Sequence, residues 1–147
     1  MISGTSHLVV DATDHVAGRL ASFTAKQLLQ GNRVSLVNCE NIMLSGSRRN
    51  IVGEYKKFLE IGSIINPKHG PFHPRRPDTI ITRMVRGMLP RTKTSGIEAH
   101  KRLRAYIGVP KPLKTTKKTQ FDKAKIKRPA ADYVTMAELG RTVGWTE

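Results

Sequence analysis

One cysteine, Cys39, stands alone in 147 residues. That excludes an intrachain disulfide and any cluster of thiolate metal ligands, and it fits a reducing compartment. Aromatic residues make up only 5% of the chain. No strand carries the aromatic pattern with which RNA-binding sheets stack bases, so a base-stacking reader of single strands is not expected. No stretch approaches the ~18–20 apolar residues of a membrane-spanning helix. The opening residues, Met1-Ile2-Ser3-Gly4-Thr5-Ser6-His7, lack the basic-then-apolar order of a secretory leader. Hydrophobic residues reach 38%, below the ordinary globular level, so part of the chain is expected outside the core.

Acidic residues are also scarce, and this scarcity is informative. There are 26 Lys and Arg against 11 Asp and Glu, a formal charge of +15 and a pI near 10.6. A charge that large resists compaction and attracts polyanions, nucleic acid before anionic membrane. Residues 1–47 hold three basic and three acidic residues and are net neutral. Residues 48–128 hold 22 basic and five acidic, net +17, and residues 129–147 are net −2. The first third therefore reads as an ordinary folded element, and the middle as an anion-binding surface.

Leu8-Val9-Val10 is a short β-branched run and reads as a buried strand ending at Asp11. Asp14 is placed to cap a helix whose face holds Val16, Leu20, Phe23, Leu28 and Leu29, with Gly31-Asn32 as its stop. Val34-Ser35-Leu36-Val37 follows as a second strand. Strand, helix and strand within about thirty residues make a parallel, right-handed βαβ unit. Ile42-Met43-Leu44 reads as a third short strand, and Ser47 as the cap of a helix carrying Arg48 and Arg49.

From Ile61 to Pro77 the pattern breaks. Pro67, Pro71, Pro74 and Pro77 predict a long irregular loop, which bears Lys68, His69, His73, Arg75 and Arg76. A helix then runs from a cap at Asp78 to Pro90. Its spacing predicts that Met84, Val85, Met88 and Leu89 meet the core, with Arg83, Arg86, Arg91 and Lys93 around them. A further helix is expected over 96–107, with Lys101, Arg102 and Arg104 turned away from its inner side. Pro110 opens a basic tail through Lys111, Lys114, Lys117, Lys118, Lys125, Lys127 and Arg128, disordered by itself, before a short helix near Tyr133–Leu139. The division expected is an α/β RNA-binding core over 1–109 and a basic extended tail over 110–147.

Catalytic and metal chemistry find little support. His69 and His73 stand four apart, but Gly70 and Pro71 between them deny a helical pair of ligands. Neither a dinucleotide nor a phosphate-loop glycine motif is present. Asp11, at a strand's carboxyl end, could serve a nucleotide-binding enzyme built on the βαβ unit, the alternative reading; a strand-terminating Asp is the simpler one. Cys39 reads as a small buried hydrophobe and Trp145 as an anchor for the terminus. What remains is a βα core with basic loops and tail, suited to folded RNA read by phosphate and shape.

Three stretches carry a resemblance. Leu8-Val9-Val10-Asp11-Ala12 with His15-Val16-Ala17-Gly18-Arg19-Leu20-Ala21-Ser22 resembles the N-terminal signature of the ribosomal protein L-thirteen family of the large subunit. Val37-Asn38-Cys39-Glu40-Asn41-Ile42 with Ser45-Gly46 is similar to its second segment. Gly70-Pro71-Phe72-His73 and Arg83-Met84-Val85-Arg86-Gly87-Met88-Leu89-Pro90 resemble its most recognisable stretch, in archaeal and eukaryotic form. The resemblance implies a three-layer α/β/α domain around a four-stranded parallel sheet. It also implies a cytoplasmic, structural role in the large ribosomal subunit, bound to ribosomal RNA and neighbouring ribosomal proteins. Catalysis, cofactor, metal, membrane and small-molecule substrate are not expected from it. Arg83, Arg86 and His73 are the positions it assigns to RNA.

Overall fold

Leu8-Val9-Val10 and Val34-Ser35-Leu36-Val37 form the two central strands, β1 (His7–Asp11) and β2 (Arg33–Val37). The structure, a computed structural model, describes residues 6–146. Most of the stretch read for a leader lies outside the described residues. β1 and β2 pair in parallel, with His7 opposite Arg33 and Asp11 opposite Val37. Between them runs α1 (Ala17–Leu29), whose Leu20, Ala21, Thr24, Ala25 and Leu28 recur three or four apart and are buried. Full burial of Leu20 and of Leu28 contributes ~1.5–3 kcal/mol each. The expected βαβ unit is present.

Its cap is not the expected one. Asp14 has φ +58° and the N-cap position falls to Val16, which makes no side-chain cap. Tertiary bonds hold this entry instead. The Val16 N–H donates to Ala124 O and the Met43 N–H donates to His15 O, each at 2.9 Å.

The other strands come from distant parts of the chain. β3 (Met43–Ser45) pairs antiparallel with β6 (Tyr133–Thr135) in a separate two-stranded sheet. The stretch around Met43 is thus a strand, but outside the main sheet. α4 (Thr94–Lys101) ends before β4 (Leu103–Ala105), which corrects the helix expected over 96–107. Leu103 is buried and Arg104 exposed, and pairing with β2 imposes the extended form. β5 (Lys118–Thr119), within the stretch read as a tail, pairs with β1. The main sheet runs β4-β2-β1-β5, all parallel.

α1, α4 and α3 (Pro77–Met88) lie on one face, where Val10, Leu36, Leu20, Ile81, Val85 and Ala99 share a single core cluster. Strand alternation turns Val9 and Val37 to the other face, where both are also buried. Residues 106–117, with the 3-10 turn Lys111–Leu113, link β4 at one edge of the sheet to β5 at the other. The architecture is the expected three-layer α/β fold.

His15 is fully buried and joins the two ends of the chain. Its Nδ1 lies 2.7 Å from Thr13 O, and its Nε2 accepts from the Phe121 N–H at 3.0 Å. A carbonyl only accepts and an amide only donates, so the proton sits on Nδ1. Phe121 in turn stacks on Phe23 of α1 at 5.4 Å. α5 (Met136–Thr142) closes the chain, capped by Thr135, whose Oγ1 accepts from the Glu138 N–H at 3.2 Å. Trp145 is buried against Gly140, where an added Cβ would meet the Arg75 carbonyl oxygen at 2.9 Å. Trp145 is therefore the anchor it was read to be, and Cys39 is buried with its thiol pushed up to about 12 by burial.

Candidate nucleic-acid interface

Pro77 starts α3 at the first helical position, where its missing N–H is no loss. Arg76, not Asp78, holds the N-cap position. Asp78 instead sits in the first turn, accepts from the Thr79 N–H at 2.9 Å and pairs with Arg76 at 3.1 Å. The inward face is Ile80, Ile81 and Val85, followed by Leu89. Met88, expected in the core, is 45% exposed. It holds the last helical position, and Leu89, already extended at ψ 152°, takes the buried place.

Arg83, Arg86 and Arg91 face the other way. They border a cleft of about 550 Å³ walled by Tyr55, Phe58, Pro71, Phe72, Ile80 and Met84. A smaller hollow, about 240 Å³, shares Arg86 and Arg91 and reaches Ile97, His100 and Lys101. Gly96 keeps this corner tight, since any Cβ there would collide with the Pro90 carbonyl. Partial desolvation, then Arg83 and Arg91, lower the pKa of Arg86. Burial, then Arg86 and Arg83, lower that of His100. Among the described residues the ion pairs are Arg48–Glu138, Arg76–Asp78 and Lys125–Asp122, so no carboxylate neutralises Arg83, Arg86 or Arg91.

The opposite wall is α2 (Arg48–Glu60) with the proline loop. Ser47 caps α2 as expected, accepting from the Asn50 N–H at 3.4 Å. The Tyr55 hydroxyl donates to Pro74 O. Phe58 meets Tyr55 and His73 edge-on, at 5.6 and 4.6 Å between centroids. His73 Nε2 lies 2.7 Å from Ile61 O and is the donor there. His73 thus pins the loop from inside.

A family model described as Ribosomal protein L13 matches residues 5–112. The chain belongs to the ribosomal protein L13 family. Three relatives carry the printed name large ribosomal subunit protein uL13. That of Methanopyrus kandleri is 40% identical over 142 residues, covering 93% of this chain and 86% of its own. That of Sulfolobus acidocaldarius is 38% identical over 145 residues, covering 98% and 97%. That of Caenorhabditis elegans is 41% identical over 140 residues, covering 94% of this chain and 69% of its own. The matched model includes α3 and its arginines and ends before β5, whereas the three relatives align across most of the chain.

The remaining basic positions of this L13-family chain divide by what they touch. Lys68 and His69 lie exposed in the 3-10 turn Pro67–His69, and Arg49, Lys93 and Lys101 are exposed. Arg48 pairs with Glu138 at 2.7 Å, and Arg75 borders the bend at Gly144. Arg102 is turned inward: its Nη2 donates to Leu28 O at 2.8 Å, at the carboxyl end of α1, where a cation is favoured. Arg104 bonds Leu103 O at 2.9 Å. Lys111, Lys114, Lys117, Lys118, Lys127 and Arg128 are exposed along residues 111–128, and Lys125 pairs with Asp122 at 2.9 Å.

Sequence reasoning passed over three groups. His7, Arg33 and Tyr106 join Lys101, Arg102 and Arg104 around a second cationic hollow of about 550 Å³. Arg33 lies in the charge-neutral third of the chain and gave no signal. Ile64 and Ile65 are fully exposed at the loop tip. Phe72 stands in the Gly-Pro-Phe-His stretch, so a signal for it was present. Asp11 is occupied otherwise. Burial alone would raise its carboxyl, but hydrogen bonds from Asn38 and Thr13, with the Lys118 charge, hold it below the usual value. Among the described residues no three His, Cys, Asp or Glu gather around a metal-sized space, and no helix is long and apolar enough to cross a membrane.

Proposed function

We propose that the chain is a structural constituent of the large ribosomal subunit, in the cytoplasm, that binds ribosomal RNA and supports subunit assembly and translation beside neighbouring ribosomal proteins. The observation that carries this reading is the convergence of Arg83, Arg86 and Arg91 without a carboxylate among the described residues. Guanidinium forks match phosphate oxygens, and like charges held this close favour an anion between them. The printed names of the relatives support the same reading. α2, the proline loop and the 111–128 segment extend the contact, the last anchored to the sheet by β5.

The test is binding of the purified chain to deproteinised large-subunit ribosomal RNA across salt. The expected result is a steep loss of affinity with salt, because several phosphate contacts release counterions together. The double substitution Arg83→Ala, Arg86→Ala lowers affinity and flattens the slope by roughly 0.9 per lost contact, with an unchanged melting temperature. Weak, salt-independent binding, or saturable binding of a nucleoside triphosphate, counts against it.

A further inference from the structure

The cleft beside Arg83, Arg86 and Arg91 is more than a charged surface. Its walls are Tyr55, Phe58, Pro71, Phe72 and Met84, and its volume of about 550 Å³ falls in the range of small-molecule pockets, ~300–1,000 Å³. Three of the chain's eight aromatic residues, Tyr55, Phe58 and Phe72, thus meet here. Two of the three are already engaged: Tyr55 bonds Pro74 O and Phe58 meets Tyr55 and His73. Phe72 has no ring partner among the described residues and is itself 73% exposed. An unpartnered aromatic ring, a rigid apolar wall opposite and three unneutralised guanidinium groups at the rim form one constellation.

We infer that this cleft takes a single unpaired nucleotide turned out of the RNA, its base against Phe72 and its flanking phosphates at Arg83, Arg86 and Arg91. This rests on the RNA-binding reading above and deepens it. Bases inside an A-form duplex do not offer their faces to side chains, whereas those of loops and bulges do, and aromatic rings take them by stacking. Charge complementarity selects the occupant. A neutral apolar ligand would leave the arginines facing each other, and a bare phosphate would leave the aromatic wall in water. The pocket is pre-formed, because Tyr55 and His73 tie the loop to α2 from behind.

The test uses the purified full-length chain and deproteinised large-subunit ribosomal RNA, with affinity measured across salt and ultraviolet crosslinking read by mass spectrometry. Phe72→Leu is expected to lose affinity on the order of tenfold with the salt slope unchanged, since stacking is lost and phosphate contacts are not. Phe72→Trp keeps affinity, and Ile65→Ala, on the same loop but outside the cleft, is neutral. In the wild type a nucleotide adduct appears on the peptide containing Phe72. If the wild type binds with a steep salt slope, Phe72→Leu binds equally well and no adduct forms, the cleft holds phosphate alone or a neighbouring protein, and the inference is overturned. If the wild type itself shows no salt-steep binding, the RNA-binding reading falls, and the inference with it.

Discussion

Residues 7–37 and residues 48–76 are similar lengths of chain held in different ways. In the first, β1, α1 and β2 bury Val9, Val10, Leu20, Leu28, Val34 and Leu36 almost completely. In the second, no residue is fully buried. That arm is held by single pins: the Ser47 cap, Tyr55 on Pro74, His73 on Ile61 and Arg48 on Glu138. The first therefore draws stability from apolar area. The second is positioned by a few directional contacts, and the rest of its surface is free to carry cations. A basic, unburied arm of this kind gains most from a polyanionic partner, because binding supplies the contacts its own packing does not.

The largest effect expected from this contrast is at Leu20. Leu20→Ala removes a fully buried side chain and should lower unfolding stability by about 2–5 kcal/mol in a denaturant titration. Ile65→Ala, at a fully exposed position, should change stability by less than ~0.5 kcal/mol. Equal losses at the two positions would break the comparison.

A smaller effect is expected at His15, which couples the buried unit to the 121–126 segment. His15→Ala leaves the Phe121 N–H without its acceptor, at a cost of about 1–3 kcal/mol. Hydrogen exchange should quicken at Phe121 and along β5 before it quickens in β1 and β2. Uniform acceleration across all four strands would show that the segment is no separate layer of stability.

The smallest effect is a pH dependence. Asp11 has a folded-state pKa below its unfolded value, near ~3.9, so its stabilisation is present above that value. It is lost as pH falls through the folded pKa. Wild type should therefore lose more stability than Asp11→Asn on acidification from about pH 5 to pH 3. Parallel acid limbs for the two proteins would assign the acid sensitivity elsewhere.

How much was legible in the sequence follows from what each element depends on. β1, α1, β2 and the Ser47 cap depend on neighbours in the chain, and composition and spacing displayed them. β4 lies where helical spacing continued from α4, and only pairing with β2 makes Leu103–Ala105 extended. β5 has two exposed residues, so no apolar pattern marks it and its backbone bonds to β1 are its whole claim to be a strand. The basic site was legible as charge density, because unbalanced arginines need an anion wherever they fall. Arg102, expected among the RNA contacts, also meets the end of α1, a partner no local pattern could name.

By itself the sequence determined the βαβ unit, the charge of the middle segment and the family. Burial patterns and net charge are sums over local residues, so these survive without coordinates. Tertiary structure alone decided that a basic, polar segment completes the sheet, and that His15 latches it there. It also decided that Tyr55, Phe58 and Phe72 meet the arginines of α3 in one cleft. Each of these is a pairing between distant positions, and hydrogen-bond partners and cavity walls are set by where the chain returns.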